Sequence, residues 1–194
     1  MISVDIANLQ LIDQCYATAG FSVGEYAALV FAGSLSFEEG LSLVNARAKA
    51  MQGACELAHG GSGMMTVFLH ASNRLGQALI GAKLYCKEKL NIEEPVCSVA
   101  NYLYPECKVI GGHNAALKFI EDNKREFGIA RCKRLPVSGA FHTSLMRPAA
   151  DKFREVLKTV EFRKPRVCVH SNVTGKEYAS PIQVTQLLRK QIYK

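Results

Sequence analysis

The sequence predicts an α/β fold in which a small domain is inserted into a larger one. The first observation is a G-x-S-x-G pattern at 20–24, between an apolar run and a run of helix formers, which is typical of a strand, a sharp turn and a helix. The second is the order β-α-β-β-α-β over residues 63–136, a complete ferredoxin-like unit. We therefore expect an α/β-hydrolase-like larger domain formed by residues 1–62 and 137–194, with a ferredoxin-like small domain, 63–136, between its two parts.

The larger domain begins with the elements on either side of the serine turn. The apolar run at 15–19 predicts a strand, and the helix formers at 25–32 predict a helix. Ser36 followed by Glu39 is a capping box, which predicts a second helix from this point to about residue 59, where two glycines end it.

In the small domain the hydrophobic period alternates between that of strands and that of helices. Strands are expected at 64–70, 96–101, 107–110 and 130–137, and helices at 72–90 and 113–127. A loop of small residues at 136–144 then carries His142. The following helix has a buried side formed by Leu145, Ala149, Phe153, Val156 and Leu157. A short strand at 166–171 and a helix at 182–193 come last.

Composition excludes several classes of protein. A chain of 194 residues with 48% hydrophobic residues has the profile of a globular protein, and no apolar run approaches the roughly 18 residues that cross a bilayer, so membrane insertion is not expected. The seven cysteines form no C-x-x-C pair and the five histidines have no ligand spacing, which favours reduced thiols inside the cell over a metal site. The net charge of +7 is spread along the chain, so an acidic or phosphate-bearing partner is favoured over nucleic acid. Residues 1–11 contain no Arg or Lys, so we do not expect them to be a transit peptide, and targeting is expected either to lie outside this sequence or to be absent.

Ser22 stands at the centre of the pattern Gly20-Phe21-Ser22-Val23-Gly24. A turn this tight strains the central residue, and glycine on both flanks lets the backbone approach closely. The hydroxyl then projects near the positive end of the next helix, and the Val23 amide points to where an oxyanion would form. We therefore predict that Ser22 is a nucleophile and that Val23 supplies half of an oxyanion hole, although such short patterns also arise by chance in loops.

A serine nucleophile needs a base, because its hydroxyl is weakly nucleophilic at neutral pH. Of the five histidines only His142 lies in a loop at the expected edge of the larger domain, and it is the best candidate. Asn101 and Asn172 each follow an apolar strand and are expected either to line the cleft or to bond their own turns. Arg47 lies among small alanines on a helix, where an arginine is most often solvated.

Taken together, three motifs resemble the malonyl-CoA:acyl carrier protein transacylase family, and most of all its mitochondrial animal form. The motifs are Gly20-Phe21-Ser22-Val23-Gly24-Glu25-Tyr26-Ala27-Ala28, Arg47 followed by Ala50-Met51-Gln52, and Gly139-Ala140-Phe141-His142-Thr143. Phe21 stands where bacterial relatives usually have histidine. The similarity runs from about Ile12 to the end of the chain.

The resemblance implies a Ser22–His142 dyad and an Arg47 guanidinium that grips the free carboxylate of a malonyl group. It also implies substrate contacts from Met51 and Gln52, and a Phe141 that narrows the pocket against a 2-methyl substituent. The implied substrate is a coenzyme A thioester with no bound cofactor, the partner is acyl carrier protein, and the setting is mitochondrial fatty acid synthesis. The reaction would be ping-pong transfer through a malonyl-serine ester.

The chain departs from the family pattern at both ends. Nothing in residues 1–11 matches the Gly-Gln-Gly-type segment that supplies the second oxyanion-hole amide, and a segment that orients the histidine is expected just past Tyr193. We therefore expect a chain that resembles the middle of such an enzyme and is weakly active alone. Two alternatives are a serine esterase of the α/β-hydrolase type, with Glu121 or Asp122 as its acid, and a non-catalytic fragment that binds carrier protein.

Overall fold

The computed structural model describes residues 12, 14–58 and 60–194, and these form an α/β chain. Residues 1–11, in which the sequence shows no match to an oxyanion-hole segment, lie outside the described residues. The chain divides into two compact units. The first is formed by residues 1–49 and 150–191, and the second by residues 50–149 and 192–194. The expected small domain, 63–136, falls within the second unit.

The strands and helices follow one another in the order β1, α1, α2, β2, α3, β3, β4, α4, β5, α5, β6 and α6. Their bounds are β1 Ala17–Ala19, α1 Gly24–Phe31, α2 Phe37–Cys55, β2 Ser62–Leu69, α3 Leu75–Leu90, β3 Cys97–Tyr104, β4 Cys107–His113, α4 Asn114–Asp122, β5 Ile129–Arg134, α5 Arg147–Leu157, β6 Cys168–His170 and α6 Pro181–Gln191. A single 3₁₀ turn, Ser144–Met146, precedes α5. Among the described helices, none is long and apolar enough to cross a membrane.

In the first unit, β1 and β6 pair in parallel, with Ala17 opposite Cys168 and Ala19 opposite His170. Parallel strands end at the same edge of a sheet, so the turn after β1 and the loop after β6 lie side by side. This pairing places Ser22 next to Asn172, although the two residues are 150 positions apart in the chain.

The core of the first unit includes buried side chains from α1, α5 and α6. Tyr26 and Phe153 are both buried, and their rings meet edge to face with centroids 6.4 Å apart. Leu29 and Leu188 are also fully buried. The α2 helix begins with the expected capping box, in which the Ser36 amide donates to Glu39 Oε2 at 2.6 Å and the Glu39 amide donates to Ser36 Oγ at 3.1 Å.

In the second unit, β3, β4, β2 and β5 form an antiparallel sheet in that order. The order of elements, β-α-β-β-α-β, confirms the pattern read from the sequence. The buried core of this unit includes Met65, Val67, Ala78, Ile110, Leu117 and Ile120 from the central strands and from α3 and α4.

Some ends of elements differ from those expected. The α3 helix begins at Leu75 rather than at 72, because the Asn73 side chain accepts from the Leu75 amide at 3.3 Å and closes a turn first. The α4 helix ends at Asp122 rather than at 127, where the Asn123 side chain donates to Phe119 O at 2.8 Å.

The strand predicted at 96–101 extends further than expected. Asn101, expected at its end, lies inside β3, at a register shift in the pairing with β4. The residues that follow it, Tyr102 to Tyr104, are strong strand formers, so the strand continues until Pro105.

Candidate active site

The turn between β1 and α1 holds Ser22 in the left-handed backbone region, with φ of +52°. This strain at the central residue was expected, and it is confirmed. The Gly24 amide donates to Phe21 O at 2.9 Å and the Glu25 amide donates to Ser22 O at 3.2 Å, so the turn leads directly into α1. A serine placed in this way projects its hydroxyl from the tip of the turn.

The two glycines of the turn differ in their steric surroundings. A Cβ on Gly20 would lie 1.9 Å from the Gly24 carbonyl oxygen, so no other residue fits at position 20 without movement of the backbone. A Cβ on Gly24 would have no described atom within 4 Å. The expectation of close approach is therefore confirmed for Gly20 and wrong for Gly24.

Val23 lies at the N-cap of α1, and its side chain is exposed. The positive end of the helix macrodipole is therefore beside the serine, as the pattern predicts. That the Val23 amide forms half of an oxyanion hole stays a prediction.

Residues from the end of the chain hold the backbone of Ser22 on both sides. The Ser22 amide donates to Asn172 Oδ1 at 2.9 Å, and Ser22 O accepts from Gln191 Nε2 at 3.0 Å. Asn172 therefore bonds the serine turn, rather than only its own turn. These two bonds fix the strained turn from outside.

Arg47 is buried beside Ser22, with 7% of its surface exposed. Its Nη2 donates to Ser22 Oγ at 2.9 Å and to Gln191 Oε1 at 3.2 Å, and its guanidinium lies 5.8 Å from the centroid of the Tyr26 ring. Within the described residues, the buried Nε of Arg47 has no hydrogen-bond partner. The expectation that this arginine is solvated, as most are, is therefore wrong for Arg47. A buried cation with an unused hydrogen-bond donor can bind an anionic ligand.

Burial, neighbouring charges and hydrogen bonds shift the pKa values of Arg47, Glu25 and Tyr178. Burial lowers the pKa of Arg47, while the neighbouring Tyr26 and Glu25 raise it. Glu25 is completely buried, and burial raises its pKa although hydrogen bonds from Tyr178, the Asn172 amide and Gln191 lower it. Burial also raises the pKa of Tyr178, and the Glu25 charge adds to that effect.

His142 belongs to the second unit and is also unusual in its backbone. It is 9% exposed, its φ is +58°, and its amide donates to Ile192 O at 3.2 Å. Of the non-glycine residues that the structure describes, Ser22, Asn91 and His142 have positive φ. Asn91 is an ordinary left-handed cap of α3, so the other two strained positions are the expected nucleophile and the expected base.

The loop that leads to His142 is tightly built. The Thr143 hydroxyl donates to Ala140 O at 2.6 Å, and the Ala140 amide donates to Ser62 Oγ at 3.3 Å. A Cβ on Gly139 would lie 2.1 Å from Cys55 Sγ, so a side chain at position 139 would displace the Cys55 thiol of α2. The histidine therefore has a fixed backbone within its own unit.

The other expected substrate contacts are spread over the second unit. Met51 is buried on α2, Gln52 is exposed on the same helix, Phe141 is partly buried before His142, and Asn101 is partly buried in β3. What these four side chains bind stays a prediction.

Sequence reasoning missed Glu25, Tyr178 and Gln191 as parts of the site. Gln191 could have been found, because it continues the buried stripe of α6 that Val184, Leu187 and Leu188 form. Glu25 carried a similar signal, since it occupies a buried position of α1 beside the serine pattern. A polar residue on an apolar helix face has a partner in most structures.

The acid residues of the esterase alternative take part in surface ion pairs. Asp122 pairs with Lys118 at 2.8 Å, and Glu121 pairs with Arg134 at 3.5 Å. Among the described His, Cys, Asp and Glu residues, no group of three or more could hold a metal ion.

Comparison with known proteins identifies the family. The model of the acyl transferase domain family matches residues 4–191. The chain belongs to this family.

Several members of the acyl transferase family are close in sequence. The chain is 50% identical over 182 residues to the mitochondrial malonyl-CoA-acyl carrier protein transacylase of Mus musculus, and 48% identical over 182 residues to that of Homo sapiens. These alignments cover 94% of the chain but 47% and 46% of the relatives, so the chain spans about half the length of the curated relatives it matches.

Solved structures of the acyl transferase family share the fold. The malonyl CoA-acyl carrier protein transacylase of Coxiella burnetii matches with a TM-score of 0.81 at 30% identity, over 94% of this chain and 57% of that one. A malonyl-transacylase in complex with a type II polyketide synthase acyl carrier protein matches with a TM-score of 0.77 at 33% identity, over 92% of this chain and 54% of that one.

Proposed function

We propose that this protein transfers a malonyl group from malonyl-CoA to the phosphopantetheine thiol of acyl carrier protein. The observation that carries the proposal is a buried guanidinium 2.9 Å from the hydroxyl of a strained serine, Arg47 Nη2 to Ser22 Oγ. A transacylase for a dicarboxylic half-thioester needs a nucleophile and a carboxylate-binding cation side by side. The names of the relatives support the same substrate and partner.

The proposed architecture is an α/β-hydrolase-like larger domain, 1–62 and 137–194, with a ferredoxin-like small domain, 63–136. The strand–turn–helix around Ser22 supports the first part. The antiparallel strand order β3-β4-β2-β5 and the β-α-β-β-α-β sequence of elements support the second.

The proposed reaction has two half-reactions. Ser22 Oγ attacks the malonyl thioester carbon while His142 takes the hydroxyl proton, and the Val23 amide stabilises the oxyanion. The carbon–sulfur bond breaks, the coenzyme A sulfur takes the proton from His142, and a malonyl-Ser22 ester remains. The carrier thiol then gives its proton to His142 and attacks this ester, and Ser22 recovers a proton as it leaves.

Arg47 is proposed to select the acyl group. Its planar guanidinium can bind the free carboxylate of malonyl through two parallel hydrogen bonds, one of them from the Nε that lacks a partner in the described chain. When the ligand binds, Arg47 Nη2 would donate to the carboxylate instead of to Ser22 Oγ. The Ser22 hydroxyl would then be available to the base. Phe141, Met51, Gln52 and Asn101 are proposed to line the acyl pocket.

The proposed setting is fatty acid synthesis in mitochondria, because the matching proteins of Mus musculus, Homo sapiens and Drosophila melanogaster are named as mitochondrial. The coenzyme A thioester is a substrate in this scheme, and the chemistry of the dyad requires no bound cofactor.

Intact-mass spectrometry after incubation with malonyl-CoA tests the proposal. The chain is expected to gain the mass of one malonyl group, and Ser22→Ala is expected to gain none. Ser42→Ala, a matched change at an exposed serine of α2, is expected to behave as the unchanged chain. The same adduct on the Ser22→Ala chain would refute the proposed nucleophile, and carrier binding without any adduct would favour the non-catalytic alternative.

A further inference from the structure

Glu25 is a completely buried carboxylate in the first turn of α1, three residues after Ser22. A buried carboxylate strongly destabilises a fold unless hydrogen bonds satisfy it. Hydrogen-bond donors from several described residues reach it. Tyr178 OH and the Asn172 amide, the latter at 2.8 Å, donate to Oε1, and Gln191 Nε2 donates to Oε2.

Gln191 connects this carboxylate to the guanidinium of Arg47. Its Nε2 donates to Glu25 Oε2 and, at 3.0 Å, to Ser22 O, and its Oε1 accepts from Arg47 Nη2 at 3.2 Å. Gln191 is 1% exposed, so solvent cannot replace these partners. The NH₂ group of Gln191 therefore faces two acceptors, Glu25 Oε2 and Ser22 O, and its oxygen faces the Arg47 donor.

The orientation of an amide side chain depends on what faces each end. An ionised carboxylate and a backbone carbonyl only accept hydrogen bonds, and a guanidinium only donates them. With Gln191 reversed, its oxygen would face Glu25 Oε2 and Ser22 O, and its NH₂ group would face Arg47. Each of these contacts would be repulsive, in a site where buried polar groups lack solvent.

We propose that Glu25 is a positioning residue: it fixes the Gln191 amide in one orientation and thereby holds Arg47 in place to bind the acyl carboxylate beside Ser22. This inference rests on the proposed function for its last step. Glu25 does not touch the acyl group in this scheme and acts through Gln191. The same contact also holds the amide group of Gln191 on Ser22 O, so one carboxylate orders both the nucleophile turn and the cation.

Glu25→Gln is the isosteric change that removes this control. The new amide can present either its oxygen or its nitrogen to Gln191, so the reversed orientation of Gln191 is no longer excluded. Arg47 then loses its acceptor in part of the molecules. Glu38→Gln is the matched control, because it makes the same chemical change at an exposed position of α2.

The first measurement is NMR of the side-chain amide of Gln191 in the isotope-labelled full chain, and it does not depend on activity. One sharp pair of proton resonances is expected for the unchanged chain and for Glu38→Gln, and a shifted, broadened or doubled pair for Glu25→Gln. An identical sharp pair in all three chains would overturn the proposal.

The unchanged chain also provides a test that needs no variant, should Glu25→Gln fail to fold. The amide protons of Gln191 are expected to exchange with water at least about tenfold more slowly than those of the exposed Gln52 and Gln77. Equal exchange rates for all three glutamines would also overturn the proposal.

The second measurement is the kinetics of Ser22 acylation by malonyl-CoA and by acetyl-CoA. Glu25→Gln is expected to raise KM for malonyl-CoA about tenfold more than KM for acetyl-CoA, the effect of one weakened bond to a charged group. Loosening of the Ser22 turn or general damage to the fold would instead lower the rates with both thioesters alike and leave their ratio unchanged.

The two proposals fail in different ways. If the unchanged chain forms no Ser22 adduct but the Gln191 resonances respond to Glu25→Gln as expected, the proposed function fails while the ordering of Gln191 by Glu25 stands. If the unchanged chain prefers malonyl-CoA and Glu25→Gln keeps that preference in full, the positioning role of Glu25 fails and the proposed function stands.

Discussion

Arg47 shows how the site can keep a cation away from water. Burial disfavours its charged form, and the compensation comes from Gln191 Oε1, the face of the Tyr26 ring and the nearby Glu25. The neutral amide between Glu25 and Arg47 keeps the two charges from neutralising each other in a direct ion pair. The guanidinium therefore retains hydrogen-bonding capacity for a ligand.

Arg47→Ala is expected to lower kcat/KM for malonyl-CoA on the order of 100-fold, because it removes two charge-assisted hydrogen bonds to the acyl carboxylate. The rate with acetyl-CoA, which has no carboxylate, should change far less. Stopped-flow acylation with the two thioesters measures the ratio.

Arg125→Ala, at an exposed arginine in the turn after α4, is the control for loss of a positive charge. An equal fall in the malonyl and acetyl rates of Arg47→Ala would contradict selection by this residue.

Residue-level prediction succeeded where one short motif contains the whole signal. The strain at Ser22 was predicted from the G-x-S-x-G pattern and is confirmed. The binding role of Arg47, inferred from three motifs taken together, stays a prediction. The partners of Glu25 could not be read from the sequence, because Asn172 and Gln191 lie 147 and 166 positions away from it. Hydrogen bonds between such distant side chains have no local pattern.

At the scale of elements, the strand–turn–helix from β1 to α1 determines the position of Ser22, the proposed nucleophile. The turn has room for a side chain at Gly24 but not at Gly20. A Cβ at Gly20 would overlap the Gly24 carbonyl oxygen at 1.9 Å, whereas a Cβ at Gly24 meets no described atom within 4 Å. This difference provides a matched pair of substitutions within five residues.

Gly20→Ala is expected to destabilise the chain by about 2–4 kcal/mol, because the added methyl group forces the backbone of the turn apart. Gly24→Ala is expected to stay within about 1 kcal/mol of the unchanged chain, since alanine favours the helix that begins there. Urea unfolding followed by circular dichroism measures both values. Equal destabilisation by the two substitutions would contradict the steric difference.

Element types were more predictable than element ends. The hydrophobic period identified the strands and helices of the second unit, and the capping box located the start of α2. The early end of α4 and the late start of α3 depend on side-chain bonds of Asn123 and Asn73, which compete with the helix backbone. The hydrophobic periodicity of a sequence gives no information about that competition.

At the scale of the whole molecule, the first unit is assembled from both ends of the described chain. Residues up to 49 and residues 150–191 form it together, and residues 50–149 of the second unit lie between these two parts in sequence. The buried Glu25 cluster joins α1, the loop after β6 and the end of α6, so its electrostatics contribute to the stability of this unit as one body.

The stability of the chain relative to Glu25→Gln is expected to fall as pH rises. Burial raises the pKa of Glu25 above its ordinary value of 4.5, so the folded chain binds more protons than the unfolded chain between these two values. The stabilising contribution of Glu25 is therefore fully present below about pH 4.5 and is lost as pH rises through the folded pKa. Urea unfolding of both chains over this range measures the difference.

Glu39→Gln provides a comparison of opposite sign. The pKa of Glu39 is lowered, first by the bond from the Ser36 amide, so its contribution is present above the ordinary value and lost as pH falls. A relative stability that increased with pH for the Glu25 pair as well would contradict the raised pKa of Glu25.

The two bonds that clamp the Ser22 backbone have a consequence for biosynthesis. Their partners, Asn172 and Gln191, lie 150 and 169 positions after the serine in the sequence. Because synthesis runs from the N-terminus, a nascent chain carries the serine turn without either clamp until Asn172 has been made. Both clamps can form only after Gln191 has been added.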